Sequence, residues 1–156
     1  MGRKGGGALP LALVLLMTAA CDRRAAPPTG TEIRLHSERG ITLVAAEDAR
    51  GAALLGEARA LLAAARPGAG ALDRREVALA LARGALEFRF PSPQRFATAS
   101  GDSLSAWRLL LVLGIEPPPP GGEEGLLLLA GDPDYAPRPF VSRRPRERLL
   151  RILEGH

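Results

Sequence analysis

ALEFRF at residues 85–90, followed by SAWRLLLVL at residues 105–113, decides how this chain folds. In the first stretch Leu86, Phe88 and Phe90 alternate with Glu87 and Arg89, and that period of two suits a strand buried on one face. Pro91-Ser92-Pro93 breaks the run, Arg95–Thr98 resumes it, and Gly101-Asp102 makes a turn. Ser105–Leu113 then reads as a long apolar strand containing Trp107. Beyond it, Glu116–Gly125 (EPPPPGGEEG) is a loop, since proline has no N–H for a ladder, and Leu126–Ala130 is the last core strand.

Working back toward the N-terminus, Ile33 and Leu35 alternate with Glu32, Arg34 and His36, Ser37–Gly40 is a turn, and Ile41–Ala45 resumes an extended run. The pair predicts a β-hairpin. Asp48 caps a segment whose Leu54, Leu55, Ala58, Leu61, Leu62 and Ala65 recur at helical spacing, ended by Arg66-Pro67-Gly68. Asp73 and Glu76 have capping-box spacing ahead of Val77–Arg83. Val77, Leu79 and Leu81 also alternate as a strand would, but the alanines between them favour a helix stopped by Gly84. Toward the C-terminus, Asp132–Val141 reads as irregular and Pro145–Glu154 as a helix. Strands clustered together predict an α+β fold: a mainly antiparallel sheet of about five strands packed against two or three helices.

The chain has 156 residues, enough for one domain with a real core. Only six residues are aromatic, so Leu, Val and Ala build most of that core. Lys4 is the only lysine, and beyond residue 20 nineteen arginines face 17 acidic residues, close to neutrality. The basic residues do not gather into a nucleic-acid footprint, and no nucleic-acid partner is expected. Cys21 is the only cysteine, which excludes a disulfide within the chain and a cysteine-rich zinc site.

Arg3 and Lys4, the apolar run Leu9–Ala20 and the small residues before Cys21 follow the order of a secretory signal peptide, and the run is too short to span a bilayer. Thr18-Ala19-Ala20-Cys21 resembles the lipobox of bacterial lipoproteins, with Thr18 where an aliphatic residue is usual. The resemblance implies cleavage before Cys21, lipid on its sulfur, and a place on a membrane of the cell envelope with the domain outside the cytoplasm. An ordinary signal cleaved nearby would instead leave Cys21 a free thiol. The expected organisation is a signal peptide at 1–20, a lipidated cysteine and flexible tether at 21–31, and one small α+β domain at 32–156.

Gly101-Asp102-Ser103-Leu104 resembles the nucleophile block of the GDSL esterases, in which the serine attacks an ester and a downstream histidine takes its proton. Here the block lies in mid-chain. The only downstream histidine is the terminal His156, with Leu153 where the family has an aspartate, and the chain has no asparagine for the oxyanion hole. Hydrolysis needs nucleophile, base and oxyanion donors together; a hairpin turn explains the same letters. His36, the other histidine, reads as a solvated residue on the polar face of an edge-like strand. Asp132-Pro133-Asp134-Tyr135 offers calcium two charged ligands where six or more oxygens are needed. The arginines at 138, 143, 144, 146, 148 and 151 could meet anionic headgroups or an acidic partner, and Pro117–Pro120 could dock one as a polyproline II stretch. No catalytic residue, metal site or cofactor is assigned. The reading is a non-enzymatic envelope lipoprotein that binds an envelope protein, with a small hydrolase using Ser103 or a ligand carrier as alternatives.

Overall fold

Among the described residues seven strands join in one antiparallel sheet, in the spatial order β2-β1-β4-β5-β6-β7-β3. The computed structural model describes residues 29–114, 125–131 and 134–155. The leader, Cys21, most of the tether, Pro117–Pro120, Glu123-Glu124, Asp132-Pro133 and His156 lie outside the described residues. Strands β1 (Glu32–Ser37) and β2 (Gly40–Val44) form the predicted hairpin, closed by a two-residue turn that pairs Ser37 with Gly40. Strands β4 (Ala85–Ala97), β5 (Ser103–Val112) and β6 (Leu126–Gly131) form the middle of the sheet. β4 continues through Pro91-Ser92-Pro93 as a single strand, because the prolines sit where its register against β5 shifts between Arg89 and Gln94. There the missing N–H groups cost no ladder bond.

The fold is α+β, with seven strands rather than the five expected. The two additions are β3 (Ala65–Pro67) and β7 (Phe140–Ser142), paired with each other and only three residues long. Neither can show an alternation at that length. Their pairing is decided by tertiary contact between segments more than seventy residues apart.

Helix α1 (Ala49–Ala63) lies on one face of the sheet, and α3 (Glu147–Glu154) packs beside it. On this face Leu54, Ala58, Leu61 and Leu62 of α1 and Leu149 of α3 meet Ile33, Leu86, Phe88, Phe90, Leu109, Leu111 and Leu128, all buried. Phe88 and Phe90 stack with ring centroids 6.4 Å apart, and Phe96 tilts against Phe90 at 5.7 Å. The start of α1 comes so close to the end of the hairpin that a Cβ on Gly51 would stand 2.1 Å from the Ala45 carbonyl oxygen.

Helix α2 (Arg74–Arg83) covers part of the other face. The capping box is complete: Asp73 accepts from the Arg75 and Glu76 backbone N–H groups, and Glu76 accepts from that of Asp73. The helix ends at Gly84 with φ +133°, a conformation that L side chains rarely adopt, and the chain turns there directly into β4. Ala80 packs with Leu110, Val112 and Leu129 in a smaller second core.

Candidate functional site

Ser103 and the histidines are not brought together. Gly101 (φ +85°) and Asp102 form the β4–β5 turn, with Gly101 N–H donating to the Thr98 carbonyl at 3.0 Å and Thr98 N–H to the Asp102 carbonyl at 3.1 Å. Ser103 opens β5 opposite Ala97 at one end of β4, while His36 pairs with Ala85 at the other end. His156 is outside the described residues. The four letters therefore spell a hairpin turn, and the described residues give Ser103 no base.

His36 is not the solvated residue expected of it. β1 lies inside the sheet between β2 and β4, so its polar side chains face those of β4. His36 Nε2 stands 2.9 Å from Glu87 Oε2, and the two side chains are only 12% and 8% exposed. Tyr135 donates its hydroxyl to the other Glu87 oxygen at 2.7 Å. Glu87 thus holds a histidine and a tyrosine at once.

The sheet register explains the rest of the cluster. Glu32, Arg89 and Arg108 stand in one row across β1, β4 and β5, and Arg34 and Glu87 in the next. Arg34 Nε donates to Glu32 at 2.9 Å, and Arg89 lies 3.7 Å from the second Glu32 oxygen. Burial pushes the Tyr135 hydroxyl pKa far above the ordinary tyrosine value, and the Glu87 charge and hydrogen bond push it further, against a smaller opposing pull from Arg108 and Arg89. Tyr135 therefore stays protonated in the fold and donates to Glu87. A carboxylate on one imidazole nitrogen is also the chemistry of a general base, but Ser103 lies at the opposite end of β4 from His36 and Glu87. Among the described residues no three His, Cys, Asp or Glu side chains converge on a metal position. Sequence reading missed Glu87, Arg89, Arg108 and Tyr135, because alternation alone assigns the first two to a solvated face.

Much of the C-terminal basic set binds the domain itself. Glu57, buried on α1, takes Arg144 Nε at 3.1 Å and Arg148 Nε at 3.3 Å. Arg146 donates to the Leu113 carbonyl at 2.9 Å, and Arg50 donates to the carbonyls of Ile152 and Leu153 at the end of α3. A recess of about 340 Å³ lies at the β3–β7 end, lined by Ala64, Arg66, Pro67, Val141 and Arg143.

The two sheet edges differ sharply. β3 is three residues long and carries Pro67, the blunted kind of edge that resists further pairing. β2 is five residues, GITLV, exposed at Gly40 through Leu43 and without a charge or proline. Ile41 is 57% and Leu43 64% exposed, the largest exposed apolar side chains of the sheet. Comparisons of the chain with protein-family models, with curated proteins and with solved structures return no match.

Proposed function

We propose that the chain is a lipid-anchored lipoprotein of the bacterial cell envelope, held to a membrane through Cys21, whose domain outside the cytoplasm binds a protein rather than turning over a substrate. The address rests on the leader and on Thr18-Ala19-Ala20-Cys21. The binding reading is carried by one observation: among the described residues β2 is a five-residue sheet edge with Ile41 and Leu43 exposed beside it. A free edge presents unpaired N–H and C=O groups to any extended segment that can supply the complementary set. The separation of Ser103 from His36, at opposite ends of β4, supports the same reading, since the two are not placed to act together on an ester.

One preparation tests both halves. The full chain is expressed with a photoreactive phenylalanine analogue at position 43, and separately at the exposed helix position Arg59, then irradiated in cells and extracted from membranes. Intact mass is expected to show a mature chain starting at Cys21 with acyl mass that Cys21→Ser removes. A protein adduct is expected at position 43 and not at 59. An unmodified Cys21 refutes the anchor; adducts at neither position, or equally at both, refute the binding edge.

A further inference from the structure

We infer that the β2 edge pairs with β2 of a second copy of this chain, antiparallel about a two-fold axis at Thr42; this rests on reading β2 as the binding edge. The two-residue turn makes Ser37 and Gly40 the closing hydrogen-bonded pair of the hairpin. Alternation then turns the backbone N–H and C=O of Ile41 and Leu43 away from β1, leaving two donors and two acceptors on the free edge. These four groups are symmetric about Thr42. An identical strand running antiparallel brings an identical four, with Ile41 opposite Leu43 of the second copy and Thr42 opposite its counterpart.

The side chains favour the same partner. Ile41 and Leu43 share one face of the sheet with His36 and Arg34, so in the pair the two copies contribute four apolar side chains to one continuous patch. No charge in GITLV opposes this pairing. In that register the exposed Glu38 and Arg39 at the hairpin tip of each copy, one charge of each sign, come opposite Ala46 and Ala45 of the other, just before the exposed Glu47. Asp48 is already engaged, accepting from Gly51 N–H at the start of α1. Among the described residues α1 packs mainly on β4, β3 and β7, and α2 on β1 and β4. The opposite edge cannot substitute, because Pro67 removes a donor from β3.

Five residues on each side fall short of the roughly 1,200 Å² that a stable interface buries. The pairing is therefore weak in dilute solution, and anchoring on a common membrane populates it by raising local concentration.

The experiment is oxidative cross-linking of the full chain in membranes, with copper-phenanthroline and air as the oxidant. Cysteines opposite each other at a two-fold strand pair are close enough for a disulfide. Thr42→Cys is expected to give a disulfide-linked dimer as the main species, while the wild-type chain and Arg66→Cys on the opposite edge stay monomeric. Adding Leu43→Arg to Thr42→Cys is expected to abolish the dimer, because a charge on an edge opposes pairing. A monomeric Thr42→Cys, a dimer equal to that of Arg66→Cys, or one that survives Leu43→Arg overturns the second copy as occupant. If Thr42→Cys stays monomeric while the photoreactive residue at 43 captures a protein of different mass, the second copy falls and the binding edge stands. If neither reacts, both fall.

Discussion

Glu87 stands between Leu86 and Phe88, where the alternation of β4 puts its side chain on the face away from the main core. An exposed carboxylate would be unremarkable there, but this one is buried and joined to His36 and Tyr135. Burying a charge is costly unless hydrogen bonds replace its water, and the two partners supply them. The arrangement also constrains Tyr135. Its pKa in the folded chain is raised above the unfolded value, so the protonated form is the one that folding favours. The associated stability is fully present below pH about 10, the ordinary tyrosine range, and is lost as pH rises above it. Tyr135 is the chain's only tyrosine, so tyrosinate absorbance reports it alone. Through an alkaline titration the folded protein is expected to show no tyrosinate until it unfolds, and the urea midpoint is expected to fall above pH about 10. In Tyr135→Phe that fall is expected to flatten. Tyrosinate forming at the ordinary pH with the fold intact would show that the hydroxyl is not held. The sequence could not foresee this site, since strand alternation separates faces without saying what covers each one.

At the scale of elements, legibility followed length and local chemistry. The hairpin, α1, α2, α3 and the three long strands each carry a repeated period or a cap within their own residues. β3 and β7 carry neither: Arg66-Pro67-Gly68 has the letters of a helix stop and Asp132–Val141 those of irregular chain. For residues 74–83 the alanines between Val77, Leu79 and Leu81 favour helix over strand, and the folded chain shows a helix started by the Asp73 cap. Asp73 satisfies two N–H groups of the first turn that no helical carbonyl can reach. Asp73→Ala is expected to cost about 1 kcal/mol in urea unfolding, with helical circular dichroism largely retained. Asp73→Asn, which keeps an acceptor, is expected to recover most of the loss. An unchanged midpoint in Asp73→Ala would mean the cap contributes nothing.

For the molecule as a whole, the decisive asymmetry is between the two faces of the sheet. One face holds α1, α3 and the three phenylalanines in a continuous core, reinforced where Glu57 binds Arg144 and Arg148. Among the described residues α2 is the one helix on the other face, where Ala80 alone of its residues is buried, Val77 and Leu81 are half-covered and Leu79 is 48% exposed. Burying a large apolar side chain fully contributes about 1.5–3 kcal/mol, so a few half-buried ones and one cap hold α2 by roughly 3 kcal/mol. A domain of this size is stable by about 5–15 kcal/mol in all. The helix should therefore open by itself, before the sheet, as a separate unit. Native-state hydrogen exchange is expected to show the amides of Leu79–Arg83 opening with a free energy well below those of Phe88 and Leu109. Low denaturant should leave the α2 values nearly flat while the sheet values fall. If the α2 amides exchange only with global unfolding, the second face is as firmly built as the first, and half-buried side chains with one cap hold a helix far better than roughly 3 kcal/mol.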